Sequence, residues 1–249
     1  MIILKSRQEI EKMKIPNRLV AEVLKEVVKK VMPGIATIEL DRFAESMILK
    51  RGGIPAFKGY KGYPNSLCIS INEQVVHGIP SKRRFKEGDI VSIDLGIHYD
   101  GYYGDAAVTL GVGKVSPESK RLLHATQKAL CIGVEKARVG NHLSDISNAI
   151  QSYIEGEGFS VVRAFVGHGI GTSLHEEPQV PNFGEPGSGP LLKSGMVLAI
   201  EPMVNMGGSD VEVLEDDWTV VTSDRSLSAH FEHTVAITDN GPEILTKLL

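Results

Sequence analysis

The two halves of this chain follow one plan, and that restricts it to folds with an internal duplication. With Gly34 set on Gly140, Ser46 falls on Ser152, Ile48 on Ile154 and Gly52 on Gly158. Further along, "FKEGDIVSID" (Phe85–Asp94) matches "LKSGMVLAIE" (Leu192–Glu201), so that Gly88 meets Gly195 and Ile93 meets Ile200. Asp94 then falls on Glu201. After one gap, "GDAAVTL" matches "FEHTVAI", with Ala107 on Thr234 and Asp105 on Glu232. A boundary between two pseudo-repeats is expected at about 113/114, within a single domain of residues 1–249.

Each half opens with helical patterning. Ser6-Arg7-Gln8-Glu9 has the form of a capping box. Apolar residues then recur at helical spacing from Ile10 through Leu24 to Val31. Pro16 is expected to kink or break that helix. Pro33-Gly34 stops it, and a second helix is expected from Ile38 to Lys50, ended by Gly52-Gly53. In the second half, Ser116-Pro117 begins a helix with proline at its first position. It is expected to reach Ala137, break at Gly140 and resume from Leu143 to Glu155. Strands and loops fill the remainder of each half, an α/β (α+β) composition.

"SIDLGIHYDGYYGDAAV" (Ser92–Val108) carries strand residues around Asp100-Gly101, a favoured hairpin turn. It also carries Asp94 and Asp105 within the strands, where aspartate is disfavoured. If Tyr99 pairs with Tyr102, Asp94 lies opposite Ala107, and Asp105 is its diagonal neighbour on the same face. Carboxylates that close repel unless a cation lies between them. On this stretch alone, one of them could equally be an exposed acid near the turn. The repeat adds Glu201 and Glu232 at equivalent places. A unit closed around a pseudo-two-fold axis would gather four carboxylates, whose burial demands compensation, and two divalent cations balance them charge for charge.

Histidines lie near glycine-marked strand ends: His77 in "QVVHGIP", His168 and His175 in "FVGHGIGTSLHEEP". Taken singly, each is better explained as a hydrogen-bonded structural residue, a margin narrowed by finding three of them near glycine-marked strand ends. As a fifth ligand beside four carboxylates, His168 makes an oxygen-rich set that suits Mn, Fe or Co, and Zn less specifically. No HExxH, paired-cysteine zinc spacing, GxGxxG, phosphate loop or GxSxG is present. A dinuclear centre acidifies water for hydrolysis, which makes hydrolysis the expected reaction class.

The bulk properties exclude several alternatives. A net charge of -4 and pI of about 6.1 give no standing attraction to nucleic acid. The basic run Ser81–Lys86 reads as a solvated loop. No apolar run approaches a membrane span, and the N-terminal apolar stretch is too short for a signal-peptide core. Cys68 and Cys131 form no CxxC motif and no disulfide framework, which fits a reducing cytoplasm.

"SIDLG…DGYYGDAA", "GHGIG…LHEEPQV", "GMVLAIEPM" and "DRSLSAHFEHTVAITDNGPEILT" together resemble the type I, bacterial-like methionine aminopeptidases over nearly the whole chain. The resemblance implies the pita-bread fold, a duplicated α/β unit around a pseudo-two-fold axis. It also implies removal of the initiator methionine from nascent proteins whose second residue is small. Asp94 and Asp105 would hold one metal and His168 and Glu201 the other, with Asp105 and Glu232 bridging. A bridging hydroxide would attack the first peptide carbonyl while Glu201 shuttles a proton to the leaving amine. His175 would polarise that carbonyl and His77 would place the substrate. The methionine pocket would comprise Phe57, Tyr60, Tyr63, Cys68, Leu174 and Trp218. A monovalent cation is expected near Asn72 and Ser228.

The chain departs from the family's pattern at three places. Phe57 and Leu174 stand where many relatives carry a small residue and a phenylalanine, and His230 replaces a common glutamine beside Glu232. The resemblance further implies a cytoplasmic monomer that meets nascent N-termini at the ribosome. Two alternatives share the fold. One is an X-Pro aminopeptidase or prolidase, which usually carries a large additional N-terminal domain. The other is a metal-free binding module, which typically has lost ligands; here all five are in place.

Overall fold

In a computed structural model, residues 1–247 are described, and the four helices fall where the apolar periodicity places them. Helix α1 spans Arg7–Val28 and opens with the expected capping box: Glu9 N–H donates to Ser6 Oγ, and Ser6 N–H donates to Glu9 Oε2 at 2.8 Å. Helix α2 spans Thr37–Lys50, α3 spans Pro117–Lys136 and α4 spans Leu143–Gly156. Ser116 caps α3, with Pro117 at the first position as expected.

Of the kink or break expected at Pro16, the break does not occur. Proline removes one helical N–H and crowds the carbonyl one turn back, yet α1 continues through it. Two local features explain the continuity. The Asn17 side-chain amide donates to the Met13 carbonyl at 2.8 Å, adding a bond in the turn that proline weakens. Pro16 and Asn17 are also buried, held in place by the strand that passes over them at Gly104. A Cβ on Gly104 would lie 2.8 Å from Asn17 N.

Each helix pair backs its own sheet. Val20, Val23 and Leu24 of α1 and Leu40, Ala44 and Ile48 of α2 pack on Ile69, Ile93 and Leu95. That first sheet orders Ile54–Pro55, Ile90–Tyr99 and Cys68–Ile71, with Tyr102–Gly111 also paired to Ile90–Tyr99. Leu122, Ala125 and Ala129 of α3 and Ile146 and Ile150 of α4 pack on Leu198, Ile200 and Val235. The second sheet runs in the order Gly241–Ile244, His233–Thr238, Val197–Ile200, Gly167–Gly169 and Glu176–Val180. Helix pair, acid-bearing sheet, helix pair, acid-bearing sheet: this is the internally duplicated pita-bread arrangement.

The first hairpin has the expected register. Tyr99 pairs with Tyr102, Asp94 with Ala107, and Asp105 with Gly96. Asp100 and Gly101 both have positive φ, as a two-residue primed turn requires. In the second sheet His233 pairs with Ile200 and Val235 with Leu198. Extending that ladder by one step would set Glu232 directly opposite Glu201, whereas Asp94 and Asp105 are diagonal. The pairing of the two halves therefore differs by two residues.

The halves meet along a seam of their own. Glu232 N–H donates to the Ala107 carbonyl at 2.9 Å, and Thr234 Oγ1 donates to the Asp105 carbonyl at 2.8 Å. Thr109 Oγ1 donates to the His230 carbonyl at 2.6 Å and accepts from His230 N–H at 2.8 Å. The longer connection of the second half crosses over as well. Its strands Val211–Val213 and Val220–Thr222 pair with each other, and the latter pairs with Gln74–Val76. That crossing delivers Trp218 beside His77. Among the described residues, no helix is long and apolar enough to cross a membrane.

Gly104→Ala should lower the free energy of unfolding by about 1–3 kcal/mol, the usual cost of forcing added volume into a packed contact. Urea denaturation checks this; the midpoint should fall at an unchanged slope.

Candidate metal centre and substrate cleft

Asp94 and Asp105 enter the cleft from the first sheet. Glu201 and Glu232 come from the strand ends of the second, and His168 from the short strand Gly167–Gly169. The close approach of His168 depends on its glycine neighbours. A Cβ on Gly167 would come within 2.3 Å of the Ala199 carbonyl oxygen, and one on Gly169 within 2.3 Å of the Glu177 carbonyl oxygen. His168 Nδ1 lies 2.9 Å from the Gly169 carbonyl, which fixes the ring with Nε2 toward the acids. Nε2 is 3.6 Å from Glu201 Oε1 and 4.0 Å from Asp105 Oδ2. One ligand atom each from Asp105, His168 and Glu232 all lie within 4.8 Å of one another.

The electrostatics are those of carboxyl groups crowded together in a buried site. Asp105 and Glu232 are buried, at 4% and 2% exposure. Asp94 Oδ1, Asp105 Oδ1 and Glu232 Oε1 are shut off from solvent and have no hydrogen-bond partner. Burial, then the neighbouring carboxylates, pushes Asp105 and Glu232 well above the ordinary carboxylate range. Burial raises Glu201 to about 8. Asp94 is raised to about 7, again by burial first, with Glu201 adding to the shift and His230 opposing it. Orphaned carboxylate oxygens on Asp94, Asp105 and Glu232 in one cleft, two of these acids within 4.8 Å of an imidazole nitrogen, are a donor set that fits divalent cations.

Burial also holds the histidines neutral. His168 is pushed down to about 3 by burial and by His175; His77 and His175 are pushed down to about 4, burial being the main cause in each. A neutral imidazole is the form that ligates a metal or donates one N–H to a carbonyl. His230 Nε2 lies 3.4 Å from Glu201 Oε2 and has no hydrogen-bond partner.

All thirteen residues expected in the site line one cleft of about 180 Å³. His168 and His175 sit with ring centroids 4.2 Å apart, and Tyr60 stacks on His175 at 5.1 Å. Tyr63 meets Trp218 edge-on at 5.1 Å, and Trp218 meets His77 at 6.1 Å. His77 has φ 60, a backbone conformation rare for a residue with a side chain, and it turns at a glycine pressed onto the neighbouring strand. A Cβ on Gly78 would come within 2.2 Å of the Ile69 carbonyl oxygen. Phe57 finds its space over Gly96, where a Cβ would meet its ring at 2.6 Å. The Cys68 thiol is buried and pushed up, so it contributes an apolar wall. Tyr63 Oη donates toward the Leu67 and Gly78 carbonyls at 2.9 and 3.0 Å, which locks its ring in place.

Two neighbours escaped the sequence reading. Lys61 lines the cleft beside Tyr60, and Phe165 packs edge-on against His77 with centroids 5.6 Å apart. Lys61 sits in a short glycine-flanked turn with no periodic signal; Phe165, preceding "GHGIG", had only its closeness to His168 to mark it. Asn72 and Ser228 come together through a backbone bond: Ser228 N–H donates to the Asn72 carbonyl at 2.9 Å. Ser228 Oγ lies 2.9 Å from Asn205 Oδ1.

Residues 11–239 match the model of metallopeptidase family M24. A methionine aminopeptidase of Clostridium perfringens is 58% identical over 246 residues, covering 99% of each chain. The crystal structure of methionine aminopeptidase from Thermotoga maritima superposes with a TM-score of 0.98 at 50% identity, covering 100% of both chains. A prolidase from Pyrococcus horikoshii is more distant: TM-score 0.80, 26% identity, and only 65% of that chain covered.

Raised carboxyl pKa values mean that the folded, metal-free protein binds protons the unfolded chain releases. Each such group favours folding below its unfolded value, near 3.8 or 4.5, and loses that contribution as pH rises through about 7 for Asp94 and 8 for Glu201. The melting temperature of chelated protein should therefore fall as pH is raised through that window. Addition of Mn should reverse the fall and release protons, measurable by calorimetry in buffers of different ionisation enthalpy.

Proposed function

The chain belongs to metallopeptidase family M24, and on that premise we propose that it removes the N-terminal methionine from nascent proteins whose second residue is small. The observation that carries this reading is the cleft itself. Four carboxylates and an imidazole line it together with a set of apolar and aromatic side chains. Asp94, Asp105, His168, Glu201 and Glu232 would hold the divalent ions, with Asp105 and Glu232 the candidates to serve both. Mn, Fe or Co suits this oxygen-rich set best, with Zn less specific. The ions, when bound, neutralise the carboxylates and supply a water acidified enough to attack a peptide carbonyl.

The chain's own residues do the rest. Phe57, Tyr60, Tyr63, Cys68, Leu174 and Trp218 receive the unbranched thioether side chain, for which aromatic edges and a thiol are favourable contacts. Neutral His175 donates its ring N–H to the oxygen of the scissile carbonyl, and His77 positions the adjoining peptide. A carboxylate oxygen of Glu201 takes up a proton and passes it to the leaving amine. The domain organisation follows the same reading: one catalytic domain of two pseudo-repeats, about 1–113 and 114–249. A monovalent cation near the Asn72 carbonyl and Ser228, a monomeric state, and a cytoplasmic place of work at the ribosome complete the proposal.

The experiment is release of free methionine from a Met-Ala-Ser peptide, with and without added Mn, Co or Fe, beside an Ala-Pro-Ala peptide. Metal-dependent release with Ala-Pro-Ala untouched is the expected result. Cleavage of the proline peptide alone would move the chain to the prolidase-like alternative, and cleavage of neither to a binding module. Glu201→Gln should lower turnover by about 10²–10⁴-fold at an unchanged far-UV spectrum. Near-normal turnover in that variant would overturn the assignment of Glu201.

A further inference from the structure

His175 stands at the rim of the cleft, partly exposed and stacked on Tyr60, whereas its neighbour Leu174 is buried in the apolar cluster of Ile10, Met13 and Phe57. Leu174 is held by packing. His175 needs another anchor, and the structure supplies one from far away in sequence. The Lys5 ammonium forms an ion pair with the Glu176 carboxylate, and both side chains are almost wholly buried, at 4% and 5% exposure. Lys5 also donates to the Ile3 carbonyl at 3.2 Å.

Both partners of this pair are themselves fixed. Lys5 N–H donates to the Gly195 carbonyl at 2.7 Å, and a Cβ on Gly195 would come within 2.6 Å of the Lys5 carbonyl oxygen. The other oxygen of Glu176 accepts from Ser173 N–H at 3.1 Å and lies 3.4 Å from Thr172 Oγ1. One carboxylate thus closes the turn between the strand of His168 and the strand after His175. Gly171 sits at the crossing, where a Cβ would meet the Lys5 side chain at 2.4 Å and Glu176 Oε1 at 2.6 Å. Its carbonyl accepts from Tyr103 N–H at 2.9 Å, tying the turn to the acid-bearing hairpin.

A buried ion pair is a poor source of net stability, because desolvation offsets most of its attraction. Such a pair does fix direction well. We infer that Lys5 and Glu176 are positioning residues that hold the 171–176 turn so that His175 faces the scissile carbonyl. The inference rests on the proposed methionine release. Losing the Lys5 charge leaves Glu176 buried without its counter-ion, and the turn relaxes at its exposed end. Leu174 stays in its cluster, so substrate affinity is kept while the reacting geometry is lost. Displacement of a catalytic group by about 1 Å can cost about 10²-fold in rate.

The test compares Lys5→Met, Lys5→Arg, Glu176→Gln and the Lys5→Met/Glu176→Gln double variant, all loaded with Mn, on Met-Ala-Ser. Lys5→Met and Glu176→Gln should each lower kcat by about 10- to 100-fold with KM within about threefold. Lys5→Arg should recover most of the loss, and the double variant should be no worse than the single ones, as coupled partners behave. Amide hydrogen exchange should quicken over 170–176 and stay unchanged elsewhere, a readout that needs no activity. Wild-type kcat in Lys5→Met, or exchange that quickens throughout the chain instead of in the turn, would overturn the inference. A wild-type enzyme that releases no methionine would count against the proposed function instead, and the exchange comparison would still decide the clamp.

Discussion

Four carboxylates enclosed in one cleft repel one another, and the rest of the molecule is arranged around holding them there. Three of their oxygens are buried with no partner of any kind. Such groups are costly to enclose unless they protonate or meet a cation. The first tendency is visible in their electrostatics: burial raises every one of the four, and neighbouring carboxylates add to the shifts of Asp94, Asp105 and Glu232. Divalent ions would relieve the same repulsion, so the crowding that raises these groups also favours the metal proposed for them.

The duplicated architecture explains how so strained a cluster is assembled. Neither sheet carries more than two of the acids, so each half presents only part of the charge. The seam joins them by groups of the acid-bearing strands themselves: backbone Glu232 N–H to the Ala107 carbonyl, and the Thr234 Oγ1 hydroxyl to the Asp105 carbonyl. The residue pairs, Glu232 with Ala107 and Asp105 with Thr234, exchange under the correspondence of Asp105 with Glu232 and Ala107 with Thr234, although one bond is backbone to backbone and the other comes from a side-chain hydroxyl. The departure from symmetry is equally useful. The longer connection in the second half brings Trp218 to His77, and one side of the cleft becomes an apolar pocket.

Much of this was legible in the amino-acid order because its signals are local or periodic. The hairpin turn at Asp100-Gly101 determines which residues share a face, and Asp94 and Asp105 lie as the pairing requires. Helix ends follow from Ser6, Ser116 and the glycines after each helix. The misreadings have physical causes too. Pro16 interrupts a helix in isolation, but burial beneath Gly104 and the bond from Asn17 keep α1 continuous. The two-residue difference in pairing between the halves was hidden because an alignment of side chains carries no information on hydrogen-bond register. Lys61, Phe165 and the pairing of Lys5 with Glu176 depend on tertiary proximity, which no spacing rule reports.

The central claim is that the two halves together make one cradle for two ions. Crystals of the chelated protein soaked with Mn and measured at an energy where Mn scatters anomalously test it most directly. The account predicts two anomalous peaks, both between the carboxylates of Asp94, Asp105, Glu201 and Glu232, with one beside His168 Nε2. Peaks elsewhere on the surface with none among these residues would contradict it.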